Sequence, residues 1–235
     1  MHYPYKLILA SKSPRRQLLL KEIGFKFKIK TKEVDESFSK KLKGKQIALY
    51  LCKKKALAFV NELKANELLI TADTIVCIHK KVLNKPANHK EAVKMLKLLS
   101  GKTHTVFTGV CLTLKKKDGI QSTVFAVATK VKFHKVSKEE IDFYIHTYKP
   151  FDKAGSYGAQ ECLPAGANPC SLEEKRFLKK IKKPDLYIKT SMQKKEEKHV
   201  RIIQKISGSY FNVMGLPIKD LHEHLIKIKK GPSFR

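Results

Sequence analysis

Acidic residues are scarce in this chain of 235 residues: 21 Asp+Glu stand against 50 Lys+Arg, a formal net charge of +29. Long apolar runs are missing as well. No stretch approaches the ~18 consecutive apolar residues of a membrane-spanning helix, and none near residue 1 has the length of a secretory apolar region, so neither a membrane span nor export is expected. The five cysteines, Cys52, Cys77, Cys111, Cys162 and Cys170, are odd in number and follow no regular framework. That pattern argues against a disulfide scaffold and for a reducing, cytoplasmic setting. There is no CxxC pair, no GxxxxGKS/T loop, no GxGxxG after a strand, and no His/Asp pair beside a nucleophilic serine.

What is present can bury a real core. A hydrophobic fraction of 42% over this length suits one large domain or two small ones. The basic excess raises nucleic acid or an acidic membrane surface as partners, but its distribution points elsewhere. Residues 161–205 hold 12 Lys+Arg and 6 Asp+Glu, a net of +6, about their proportional share of the whole. A dedicated nucleic-acid arm concentrates charge and interleaves aromatics, and these lysine runs do neither.

The most informative stretch is Ser11-Lys12-Ser13-Pro14-Arg15-Arg16, directly after the apolar run Leu7-Ile8-Leu9-Ala10. Ser13 suits an N-cap, Pro14 suits the first helical position, and Gln17 to Ile23 reads as a helix stopped by Gly24. A helix start with two arginines is an anion site in outline, and equally a capped helix with two solvated cations.

Downstream, Phe25 to Lys32 alternates as a half-exposed strand, followed by the acidic Glu33-Val34-Asp35-Glu36. Gln46 to Leu63 has helical spacing, Leu68 to Ile78 is a buried strand, and Glu91 to Leu99 is an amphipathic helix. Thr105 to Leu114 and Ser122 to His134 form a hairpin about Asp118-Gly119. Ser137-Lys138-Glu139-Glu140 and Ser171-Leu172-Glu173-Glu174 are capping boxes. Gly208 to Met214 reads as a strand, and Ile218 to Ile228 as a helix. Alternating helices and strands mean an α/β fold.

Asp73 stands inside the apolar strand, where a carboxylate needs a metal, a cation or hydrogen bonds. Glu33, Asp35 and Glu36 are a solvated acidic loop unless the fold brings one to Asp73 to share a divalent cation. Lys85, after Leu83-Asn84, is indistinguishable from a surface lysine. The loop Phe151 to Gln160 carries two glycines, the Asp152-Lys153 pair and a terminal amide, the makings of a tight loop against a ligand or of a plain connection. Cys77 and Cys111 read as core. Cys162 and Cys170 flank a Pro/Gly/Asn loop where a metal site or disulfide is the alternative to plain thiols.

Taken in order, SxSPRR at Ser11 to Arg16, EVDE ending at Glu36, KKA at Lys54 to Ala56, ADTIV at Ala72 to Val76, LNKP at Leu83 to Pro86, SGKTHTVFTGV at Ser100 to Val110, DKAGSYGAQ at Asp152 to Gln160 and GSYFNVMGLP at Gly208 to Pro217 resemble the Maf family of nucleoside triphosphate pyrophosphatases. Lys55, the ADT motif and the NKP lysine look like its dTTP/UTP branch. The resemblance implies a mixed twisted sheet with flanking helices and a central cleft, similar to inosine triphosphatases. It implies cleavage between the α- and β-phosphates with a divalent cation, Mg or Mn. Asp73 would be catalytic and would share the metal with Glu36. Ser11, Arg15, Arg16, Lys55, Lys85 and Gln160 would bind the substrate, with Arg16 alternatively supporting the loop and Gln160 positioning water or reading the pyrimidine. A cytoplasmic homodimer without membrane or nucleic-acid partners is expected. The other possibility is the same fold serving as a basic nucleic-acid binder without catalysis.

One departure is large. The family passes quickly from the Gln of DKAGxYGxQ to GSY, whereas about 45 residues, roughly 161–206, stand between them here, and Glu161 replaces a usual glycine. The expectation is one catalytic domain over 1–235 with an inserted segment, either a lid or dimer contact or a tolerated surface insertion.

Overall fold

Leu7, Ile8 and Leu9 are all buried, the unbroken apolar run of a strand covered on both faces. Lys6–Leu9 forms β1 in a computed structural model that describes residues 3–163, 167–190 and 201–230. β1 runs parallel to β2 (Phe27–Ile29) and to β3 (Glu67–Ile78). β4 (Lys81–Leu83) pairs antiparallel with β3, and β7 (Ile203–Ser207) pairs antiparallel with β6 (Gly119–Phe133). Together with β5 (Thr103–Lys116) these make a mixed sheet of seven strands, in the order β2-β1-β3-β5-β6-β7 with β4 on β3. The hairpin expected at Asp118-Gly119 is the β5–β6 connection. The helices are α1 (Pro14–Glu22), α2 (Lys45–Leu57), α3 (His89–Leu99), α4 (Lys138–Tyr148), α5 (Ala159–Cys162), α6 (Leu172–Lys180), α7 (Leu186–Thr190), α8 (Tyr210–Met214) and α9 (Ile218–Lys230). This is the mixed, helix-flanked α/β sheet that the sequence implied.

The chain divides into two compact units. One takes the residues up to Asp73, Thr108–Val127 and those from Gly215 on; the other takes Thr74–Phe107 and Ala128–Met214. In the first, Ile8 and Leu69 from the sheet meet Cys52, Ala56, Phe59 and Leu63 around α2, with Cys111 of β5. Truncating such a fully buried Leu to Ala costs about 2–5 kcal/mol. Gly109 is required here, because a Cβ at this position would stand 2.3 Å from the Ala48 carbonyl oxygen. The α2 backbone lies directly on β5, and only glycine lets it do so. Thr71 adds a buried 2.7 Å hydrogen bond to the Cys52 carbonyl, fastening the same helix to β3.

In the second unit Ser137 and Ser171 form the two expected capping boxes. In the described part of 161–206, Phe177, Leu178, Leu186 and Ile202 are buried, whereas Leu172 and Ile188 are exposed. Cys162 and Cys170 are free thiols, not a disulfide. Burial raises the Cys162 thiol well above its ordinary value and Cys170 to about 12, so both stay protonated.

Several boundaries differ from the sequence pattern. Ser13 does occupy the N-cap of α1, but its side chain makes no capping bond. Instead the Ser13 N–H donates to Ser11 Oγ at 3.2 Å, while the helix begins at Pro14, the first helical position expected. The alternating Phe25 to Lys32 keeps only three strand residues. α2 ends at Leu57, with a separate 3-10 turn at Val60–Glu62. The largest correction is Gly208 to Met214, which is not a strand: β7 ends at Ser207, Gly208 turns at φ +123°, and Tyr210–Met214 is α8. Its cause is partly local, Ser209 Oγ accepting from Asn212 N at 2.9 Å, and partly remote in sequence. The Glu174 carboxylate accepts from Tyr210 N at 3.1 Å, Phe211 N at 3.3 Å and Ser209 Oγ at 2.6 Å, supplying a helix N-cap to residues that favour strands.

Candidate active site

In the first unit, the middle of β3 meets α1 and α2 at Ala72 and Asp73. Lys55 faces inward from the last turn of α2, the helix fastened through Thr71 and Gly109, and it donates to Asp73 Oδ1. The same ammonium pairs with Glu36 Oε1 at 2.9 Å. One cation thus holds two carboxylates from chain segments 37 positions apart, the convergence needed before Glu36 could share anything with Asp73. Its neighbours do other work: Asp35 pairs with Lys54 at 2.8 Å and Glu33 with Lys12 at 3.6 Å, both toward solvent. Such exposed pairs contribute little.

Asp73 is 6% exposed. Burial pushes its carboxyl above the ordinary range, Lys55 and then Arg16 pull it back, and the like charge of Glu36 pushes it up again. A carboxylate with raised proton affinity that is nonetheless held in place has the character of a general base.

Arg16 donates from Nε to the Gly215 carbonyl at 2.8 Å and from one terminal nitrogen to the Ala72 carbonyl at 2.9 Å. It therefore braces the backbone next to Asp73, the supporting alternative for this residue. Burial lowers its ordinarily very high pKa and Asp73 opposes that shift. Ser11 is buried, and its backbone carbonyl accepts from Gln17 Nε2 at 3.1 Å. Arg15 is half-buried in the first turn of α1.

The second unit holds the other two expected ligand residues. Lys85 is exposed just after β4. Gly155 N donates to the carbonyl of Asn84 at 3.2 Å, so the LNKP and DKAGSYGAQ segments lie against each other. Gln160 is buried on α5 beside a network that the sequence did not reveal. Lys153 pairs with Asp152 at 2.8 Å and with Glu161 at 3.3 Å, and Tyr144 donates to Glu161 Oε2. The only sequence signal was Glu161 standing where the family has glycine. His104, also buried, meets the Tyr157 hydroxyl at 2.7 Å between aromatic rings, and burial lowers its pKa to about 4.

A divalent cation is the group the family resemblance implies. Among the described residues no three His, Cys, Asp or Glu side chains gather as a cage, and the point on which Glu36 and Asp73 converge is held by the Lys55 ammonium. One or two carboxylates completed by phosphate oxygens and water is how Mg²⁺ is commonly bound.

A family model described as Maf-like protein matches residues 6–165. The chain belongs to the Maf-like family. A dTTP/UTP pyrophosphatase of Phocaeicola vulgatus is 43% identical to this Maf-like chain over 225 residues, covering 95% of this chain and 96% of that protein. Proteins of the same description from Bacteroides thetaiotaomicron and Flavobacterium johnsoniae are 40% and 39% identical over 225 and 221 residues, covering 95% and 94% of this chain and 96% and 94% of theirs. A crystal structure of a dITP/XTP pyrophosphatase from Mycobacterium abscessus matches at 12% identity and a TM-score of 0.34, covering 55% of this chain and 72% of its own, too weak a likeness to place any residue. Among the described residues no helix is long and apolar enough to cross a membrane.

Proposed function

We propose that this Maf-like protein hydrolyses dTTP and UTP to the nucleoside monophosphate and pyrophosphate. Support comes from one observation above all: Lys55 gathers Glu36 and the buried Asp73 on a single ammonium, in a chain closely similar over nearly its whole length to proteins named dTTP/UTP pyrophosphatases. Water attacks phosphorus, the α–β phosphoanhydride breaks, and the proton of the attacking water passes to Asp73. Such proton transfer contributes about 10²–10⁴ in rate. Ser11, Arg15, Lys55 and Lys85 bind the triphosphate, whose charge must be neutralised for pyrophosphate to leave. Arg16 steadies the backbone at Ala72, and Gln160 contacts the base or the water.

Glu36 and Asp73 hold a divalent cation, Mg²⁺ or Mn²⁺, which when bound offsets phosphate charge. Lys55 keeps those carboxylates together before substrate arrives. The protein works as a cytoplasmic homodimer, with residues 161–206 as an addition to a single catalytic domain.

The test is a panel of nucleoside triphosphates with Mg²⁺ or Mn²⁺, assayed for pyrophosphate, with and without chelator. Release from dTTP and UTP that chelator abolishes is expected. No release from any triphosphate contradicts the function, and release unaffected by chelator contradicts the metal.

A further inference from the structure

Glu36 lies between β2 and α2, in residues 30–44, a stretch with no helix or strand of its own. The ladder of a regular element does not place it, so side chains must. Two adjacent lysines in the last turn of α2 divide that task. Lys55 takes Glu36 itself, at 2.9 Å. Lys54 takes the residue on either side of it: its Nζ donates to Asp35 Oδ2 at 2.8 Å and to the Ser37 carbonyl at 3.2 Å. Ser37 closes this clip, its N–H donating to Asp35 Oδ1 at 2.9 Å and its hydroxyl to Asp35 Oδ2. The Lys54 ammonium also stands 5.9 Å over the ring of Tyr50, one turn back along α2, which directs it from its own helix.

We propose that Lys54 is a positioning residue that keeps Glu36 in the site when Lys55 turns to the triphosphate. The inference rests on the proposed hydrolysis, in which Lys55 first gathers the carboxylates and then binds phosphate. An ammonium has three protons, and each phosphate oxygen it takes weakens its hold on Glu36. Lys54 holds Asp35 and Ser37, groups that the mechanism does not use, so substrate does not compete for it. With both neighbours fixed, the Glu36 backbone stays in place while its carboxylate changes partner. An exposed ion pair contributes little to stability. What this one supplies is placement, and misplacing a group in an active site by about 1 Å costs up to about 10²-fold in rate.

The experiment is a double-mutant cycle on kcat/KM for UTP, with wild type, Lys54→Met, Glu36→Gln and the two together, and thermal midpoints read alongside. Methionine keeps much of the stem and drops the charge. Lys54→Met should lower kcat/KM about fivefold with the midpoint almost unchanged, and Lys54→Arg should restore most of the loss. In the Glu36→Gln background Lys54→Met should cost almost nothing more, because no carboxylate is left to place. Asp35→Asn weakens the clip from the loop side without touching α2. It should act in the same sense as Lys54→Met and provides a second cycle with Glu36→Gln if the first double variant does not fold. Losses that multiply overturn the inference and make Lys54 a separate contact to substrate. Unchanged kcat/KM in Lys54→Met overturns it as well. A wild type inactive on every triphosphate overturns it together with the hydrolase function, whereas either of the other two results leaves that function standing.

Discussion

Two clusters of buried charge stand in the two units, and they are built for opposite purposes. Around Asp73, exposure grades outward: the side chain of Asp73 is 9% accessible, that of Lys55 18% and that of Glu36 48%. One ammonium serves two carboxylates, so any arriving ligand can exchange partners with it. Around Glu161, the carboxylate side chain is 3% accessible and its ammonium partner 9%, and hydroxyl, amide and ammonium together occupy both oxygens. The first cluster is arranged to change its contacts and the second to hold still. Full internal compensation marks a positioning element, whereas partial compensation at the edge of solvent marks a reactive one.

The sharpest way to break this contrast is Asp73→Asn. Turnover of dTTP should fall about a thousandfold, while the thermal midpoint should not drop, because burial already disfavours the charge that is removed. A midpoint that collapses together with activity would place Asp73 among the structural groups.

Next in size is a pH effect carried by the second unit. The His104 pKa is lowered from 6.5 to about 4 by burial. The unfolded chain therefore binds a proton that the folded chain refuses, and the stability linked to His104 is complete above pH 6.5 and lost as pH falls toward 4. The loss approaches about 3 kcal/mol. His104→Phe should flatten that part of the stability curve in denaturant titrations across the same window, and an unchanged slope would contradict it.

Tyr144→Phe should follow, at about 2 kcal/mol of unfolding free energy, because it strips one oxygen of a buried carboxylate and the Gly158 N–H of their partner. Glu36→Gln is expected to act in the opposite category. It should lower kcat/KM about tenfold and raise the metal concentration needed for half activity, with stability almost unchanged, since its exposed pair with Lys55 contributes little. A stability loss larger than that of Tyr144→Phe would erase the distinction between the clusters.

Local pattern made much of the fold legible. The apolar β1 and β3, the Asp118-Gly119 turn and the two capping boxes each declare themselves within a few residues, and Asp73 declared itself as a charge inside an apolar strand. What escaped was set by distant partners. α8 has a local cap in Ser209, but its start is also held by Glu174 from 36 positions away, a contact that no local propensity encodes. The Glu161 network escaped for the same reason: Tyr144, Lys153 and Glu161 each look like ordinary members of a charged, aromatic-bearing segment until the fold joins them. Motif order rather than local pattern raised Lys55 above its basic neighbours, and its inward position depends on Gly109 and Thr71 fastening α2.

The most direct measurement of the central claim is phosphorus NMR of UTP incubated with the protein and Mg²⁺, with Asp73→Asn in parallel. Cleavage between the α- and β-phosphates yields UMP and pyrophosphate in equal amounts and no orthophosphate, and the variant leaves UTP intact. Orthophosphate with UDP, or UTP unchanged by the wild type, would contradict it.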